Sequence, residues 1–146
     1  MRIESVEAIP VSYPEPNDDN ASRHLCLVKI VADDGQVGWG ESITQFPEST
    51  WSTKVMIDGM SEWVVGRDPV QNKVIVESLK DRAWYYGYGG GIASYAISAI
   101  DIALWDLKGK ALGVSVLDLL GGAVWDRLPV IASGLASHPT IGQLAD

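Results

Sequence analysis

The side chains able to do chemistry are few and scattered. The histidines are His24 and His138, and the single cysteine is Cys26. A serine nucleophile would need a G-x-S-x-G elbow and a partner imidazole, and no such elbow occurs. A zinc site needs several His or Cys ligands, and the chain lacks them. Asp18 and Asp19 in PEPNDDN lack the ligand spacing of a calcium loop and read as a solvated turn. The glycine run Gly87-Tyr88-Gly89-Gly90-Gly91 follows a predicted helix and has no Lys-Ser/Thr after it. It reads as a connector, not a phosphate cradle. Cys26 lies between Leu25 and Leu27 with no cation close in sequence, so a buried, inert thiol is expected. Asp106 and Lys110 are four residues apart on a helix and can pair. Asp101, on an otherwise apolar face, needs a hydrogen-bond partner and reads as a structural contact at a domain junction.

The elements that would position these groups divide into two parts. Ile3 to Tyr13, His24 to Ala32 and Gln36 to Ile43 read as strands. Asp33-Asp34-Gly35 between the last two is a hairpin signal. The first part is therefore an antiparallel meander. From Trp51 to Val65 apolar residues recur at helical spacing, and Gly66 can end that helix. Asp68-Pro69 starts another, with Asp as N-cap and Pro at the first helical position, running to about Arg82. Ala93 to Leu112 is the longest helix. Ala96, Ile100, Leu104, Leu107 and Ala111 form one stripe, which Ala99, Ile102 and Ala103 widen until most of the circumference is apolar. Gly113 ends it, and Ser115 to Leu120 forms a short helix closed by Gly121-Gly122. Trp51, Trp63 and Trp105 fall on predicted helices and are expected in the core.

Leu128 to Ala132, LPVIA, reads as a short buried strand, and Ile141 onward as the start of a helix. That is half of a β/α unit. A parallel strand needs neighbours, and the sequence offers none, so a larger architecture is expected to continue from here.

Composition excludes several classes. With 47% hydrophobic and 21% charged residues, the chain can build a core and is not a disordered polyelectrolyte. A net charge of −8 disfavours nucleic acid and anionic membranes, so neither is expected as a partner. One cysteine rules out an intrachain disulfide. The opening residues carry Glu4, Glu7 and two prolines where a signal peptide would be apolar, and Asp101 and Asp106 interrupt the most apolar run. A cytoplasmic protein is expected.

Four segments carry a family resemblance. Ser98 to Gly113, SAIDIALWDLKGKALG, with Leu119-Leu120-Gly121-Gly122, is similar to the signature helix of the mandelate racemase and muconate-lactonizing branch of the enolase superfamily. Ile30 to Glu41 resembles that family's hairpin, Gly66 to Pro69 its helix–helix junction, and Asp126 to Ser133 the lead-in to its barrel. The resemblance implies an α+β fold: a three-stranded antiparallel meander followed by a helical bundle, with the start of a truncated (β/α)7β barrel. Residues 1–125 would be the capping domain, and residues 126–146 the first barrel strand and the beginning of its helix.

The family abstracts a proton α to a carboxylate, with Mg²⁺ stabilising the enediolate. A complete barrel takes roughly 250 residues, and the family's bases and metal carboxylates sit on its later strands. No catalytic residue and no metal ligand is carried over, and Mg²⁺ is expected in the full-length enzyme and not on this chain, which alone is expected to be inactive. What does carry over is the lid, two specificity loops matching Glu15 to Arg23 and Thr44 to Thr50. Candidate substrate contacts are Asn17, Asp19, Asn20, His24, Gln45 and Phe46, with Ser133 at the end of the first barrel strand. This polar lid suits a polyhydroxylated acid, hence an acid-sugar dehydratase. A racemase, epimerase or cycloisomerase, or a stand-alone cap acting in binding or oligomerisation, stays open. The expected partners are a carboxylate-bearing small molecule, a barrel in cis or as a separate chain, and further copies in a homo-oligomer.

Overall fold

The computed structural model describes residues 1–16, 21–86 and 89–131. Strands β1 (Ile3–Pro14), β2 (Ser22–Ala32) and β3 (Val37–Ser42) form one antiparallel sheet in the order β1-β2-β3. Helices α1 (Pro47–Ser61), α2 (Asn72–Ala83), α3 (Gly91–Leu112) and the short α4 (Val116–Leu119) follow. This is the meander-then-helices architecture the sequence implies.

The β2–β3 hairpin uses a three-residue loop. The Gly35 N–H donates to the Ala32 carbonyl at 2.9 Å, and Gly35 takes φ +84°, so only this position needs the left-handed region. One sheet face is buried. Ile3, Ala8, Cys26, Val28, Ile30 and Ala32 point inward against α1 and α3. Gly38 and Gly40 let the α3 backbone lie directly on β3. A Cβ on either would collide with the carbonyl oxygen of Ala103 or Ala99. The α3 stripe is buried as expected at Ala96, Ile100, Leu104 and Leu107. At its end Gly113 sits at φ +68°, the Val114 N–H returns to Gly109 and the Gly113 N–H to Lys110, which closes the helix in a Schellman turn. Asp68 accepts from the Val70 N–H at 3.0 Å, as an N-cap should. The turn it caps is a 3₁₀ turn, Pro69–Gln71, which leads into α2.

Five expectations are corrected. The first helix starts at Pro47, four residues early, so the second loop is shorter than Thr44 to Thr50. Its inward face is Thr50, Thr53, Ile57 and Met60; Met60 and, just beyond the helix, Val64 are buried as expected, but Val55 is exposed and Trp51 is 59% exposed. Trp63 is likewise outside the core. It lies beyond α1 under the Arg82 guanidinium, 4.6 Å from its ring centroid. Asp101 is half-buried between α2 and α3 without a hydrogen-bond partner among the described residues. Finally, Leu128 to Ile131 form no strand. Val130 and Ile131 are 89% and 94% exposed, and no strand among the described residues lies alongside to complete a ladder. Ala132 and the helix expected from Ile141 lie outside the described residues.

No helix among the described residues is long and apolar enough to cross a membrane.

Candidate functional site

The two ends of the first loop and the segment leaving β3 come together. The end of β1, the start of β2 and the segment from β3 into α1 enclose an open cavity of about 440 Å³ at one end of the sheet. The meander is what makes this possible. Pro14 pairs with Ser22 and Cys26 with Ser42, so the first loop and the β3 exit emerge on the same side.

His24, Gln45 and Phe46 all line the cavity. His24 is half-buried, while Gln45 and Phe46 are exposed. His24 and Phe46 are held through their backbones. The Thr44 hydroxyl donates to the His24 carbonyl at 2.9 Å, which ties the β3 exit to β2. Phe46 is the residue preceding α1, and its carbonyl accepts from the Ser49 hydroxyl at 2.9 Å and from the Thr50 N–H at 3.1 Å. The side chains are thereby left free to face a solute. Asn17, Asp19, Asn20 and Ser133 lie outside the described residues.

Two lining residues were not singled out in sequence. Arg23 Nε meets Glu15 Oε2 at 3.0 Å across the base of the first loop, below a backbone bond from Glu15 N–H to the Ala21 carbonyl at 2.9 Å. The signal for them is opposite charge at the two ends of one loop between antiparallel strands. The ion pair and the backbone bond clip the loop stem together. The cavity wall thus carries an imidazole, an amide, a guanidinium–carboxylate pair, the Ser22 hydroxyl and one aromatic ring. Such a set can hold a polar, hydroxylated ligand against an apolar edge. Among the described residues it contains no paired nucleophile and base.

Elsewhere the titratable groups are structural. Cys26 is fully buried, and burial pushes its thiol up, with Lys54 pulling down and Asp58 pushing up more weakly. It is inert, as expected. Burial likewise raises the Asp101 carboxyl, which Lys80 partly offsets. Asp106 pairs with Lys110 at 2.7 Å, as the spacing predicts. Among the described residues no three His, Cys, Asp or Glu converge as metal ligands, so these residues do not fit the Mg²⁺ that the family implies.

The family's N-terminal-domain profile, for mandelate racemase and muconate lactonizing enzyme, matches residues 17–121. The chain belongs to the mandelate racemase/muconate lactonizing enzyme family, through its N-terminal domain. It is 40% identical over 109 residues to a D-galactonate dehydratase of Xanthomonas axonopodis pv. citri (strain 306), covering 75% of this chain and 28% of that protein. Over 102 residues it is 44% identical to the D-galactonate dehydratase of Pectobacterium atrosepticum, covering 70% of this chain and 26% of the relative. Among solved structures, the 3,6-anhydro-D-galactonate cycloisomerase of Zobellia galactanivorans superposes with TM-score 0.75 at 34% identity, over 84% of this chain and 32% of that one. An enolase of Agrobacterium radiobacter with bound Na and L-malate superposes with TM-score 0.74 at 32% identity, over 89% and 30%. The chain therefore spans under a third of the length of these relatives.

Proposed function

We propose that this chain is the capping and substrate-specificity part of an enolase-superfamily enzyme that abstracts a proton α to a carboxylate, and that the parent reaction is dehydration of an acid sugar. The observation that carries the reading is the cavity itself. Two loops about twenty residues apart in sequence converge on one open, polar hollow in a chain of this family. A polyhydroxylated acid presents alternating donors and acceptors, which His24, Gln45, Ser22 and Arg23 can meet, while Phe46 supplies an apolar edge. Asn17, Asp19 and Asn20 on the first loop, and Ser133, are proposed to complete that contact set. In dehydration the α-proton leaves to a base and the β-hydroxyl departs as water. The lid's part is to orient the sugar chain and exclude bulk solvent. Mg²⁺ would stabilise the enediolate, and we place its ligands and the catalytic bases outside these residues.

The exposed apolar residues support a missing neighbour. Leu112, Val114, Leu117 and Leu120 lie along the end of α3 and α4, followed by exposed Val124, Trp125 and Leu128. Exposed apolar residues gathered in one stretch of sequence fit a contact site. We propose that a barrel covers it, in cis or as a second polypeptide, with residues 1–125 as the cap and 126–146 as the lead-in to that barrel, and that the parent is a cytoplasmic homo-oligomer. Cycloisomerisation is the second reading, favoured by the named activity of the Zobellia neighbour.

Joining this cap to the barrel of a D-galactonate dehydratase tests the proposal. The chimera should convert D-galactonate to a keto acid in the presence of Mg²⁺. His24→Ala and Gln45→Ala should each raise KM several-fold with a smaller effect on kcat. The 146-residue chain alone should be inactive. Turnover by the chain alone, or a chimera indifferent to both substitutions, would sink the assignment.

A further inference from the structure

A three-stranded sheet has two edges, and this one treats them differently. The β1 edge is covered at its start by main chain. The Ile3 N–H donates to the Arg67 carbonyl at 2.9 Å, and the Gly66 N–H donates to the Ile3 carbonyl at 2.8 Å. Farther along, Pro10 and Pro14 have no N–H to offer a neighbour. The β3 edge, VGWGES, has no proline and, among the described residues, no main-chain cover in its middle. There, two side chains of α3 reach the strand. Asp106 Oδ2 accepts the Trp39 N–H at 2.8 Å, Lys110 Nζ donates to the Val37 carbonyl at 2.8 Å, and the two side chains pair at 2.7 Å. The Trp39 N–H and the Val37 C=O are the groups an incoming strand would engage. The carboxylate stands where its carbonyl would be, and the ammonium where its N–H would be.

We infer that the Asp106–Lys110 ion pair is a side-chain stand-in for a fourth strand, and that it keeps the β3 edge from pairing with the β3 edge of a second copy of this chain. A second copy is the fitting occupant, because an antiparallel edge is self-complementary about a two-fold axis. Trp39 would face Trp39, and each outward N–H would meet a carbonyl of the same short segment. Gly38 and Gly40 let α3 fill the inner face of the strand, and among the described residues it is these two side chains that hydrogen-bond to its outer edge. The pair is half-exposed, and its value as an ion pair alone is small. Its role lies in satisfying the edge.

The test is the association state of the Asp106→Ala/Lys110→Ala chain by sedimentation equilibrium, with folding checked by circular dichroism. The double variant should dimerise at least about tenfold more tightly than the parent chain. Adding Trp39→Pro, which removes the outward N–H, should return it to the parent value. In the parent, the Trp39 amide should exchange with deuterium slowly, and about tenfold faster in the monomeric variant at low concentration. If the double variant does not fold, Lys110→Met, which keeps the acceptor for Trp39, carries the same readouts with a smaller shift. A folded variant with unchanged association, or one whose dimer survives Trp39→Pro, overturns the inference.

Discussion

The seam between α3 and β3 and the cavity at the sheet's end lie only a few residues apart along β3, yet they are built on opposite terms. At the seam, backbone meets backbone. Gly38 and Gly40 admit no side chain, and the facing helix contributes Ala99, Ala103 and Leu107, all fully buried. At the cavity, backbone bonds hold the frame while His24, Gln45 and Phe46 are left to point outward. Backbones pack closest where side chains are smallest, and the side chains with the most freedom lie at the cavity.

The most severe way to break the seam is Gly40→Val. Its Cβ would press into the Ala99 carbonyl, a backbone atom that cannot move without displacing α3. A loss of about 3 kcal/mol or more is expected in urea denaturation, at the upper end of overpacking costs. Gly59 gives the matched control. It sits on the exposed side of α1 with open space where a Cβ would go. Gly59→Ala should stabilise by about 0.5–1 kcal/mol, through helix propensity and a less flexible unfolded chain. Equal effects at the two positions would mean that the seam is not tightly packed.

A smaller effect, with a defined pH signature, is expected at Asp101, on the far side of α3. Burial raises its folded-state pKa above the ordinary carboxylate value of about 4. The folded state therefore binds the proton more tightly than the unfolded state. The penalty is absent below the unfolded pKa, grows as pH rises through the window up to the folded value, and stays constant above it. Asp101→Asn should thus stabilise the chain at neutral pH, by less than about 1 kcal/mol because the group is half-exposed and screened. The gain should vanish once the pH falls below the ordinary carboxylate range. A gain that persists unchanged in acid would place the effect in packing and not in charge.

What could be read in the sequence follows the same division. The meander, the Asp68 cap, the Gly113 stop and the Asp106–Lys110 spacing were legible because each rests on local chemistry between residues a few positions apart. The inner face of the first turns of α1 was not. Trp51 and Val55 are apolar enough to claim the inner face, and only packing against β1 and α3 puts Thr50, Thr53 and Ile57 there instead. LPVIA reads as a strand because its composition is that of one, but strand structure needs a partner that local sequence cannot supply. At the cavity, His24, Gln45 and Phe46 were proposed through a family resemblance, and they line one hollow. Arg23 and Glu15 were overlooked because their pairing depends on the register of β1 against β2. The edge function of Asp106 was hidden too, since spacing predicts the ion pair but not the strand it touches.

The smallest expected effects belong to the cavity. Phe46 supports α1 only through its carbonyl, which accepts from Ser49 and Thr50 whatever its side chain is. His24 contributes its carbonyl to the Thr44 hydroxyl in the same way. Phe46→Ala, Gln45→Ala and His24→Ala should therefore each change unfolding free energy by no more than about 0.5 kcal/mol. Thr44→Val is the contrast within the same wall. Thr44 is buried, and losing its hydroxyl leaves the His24 carbonyl without that donor, so about 1 kcal/mol should be lost. If the three alanine variants cost as much as Thr44→Val, the cavity side chains are part of the fold's framework, and the division between seam and lid fails.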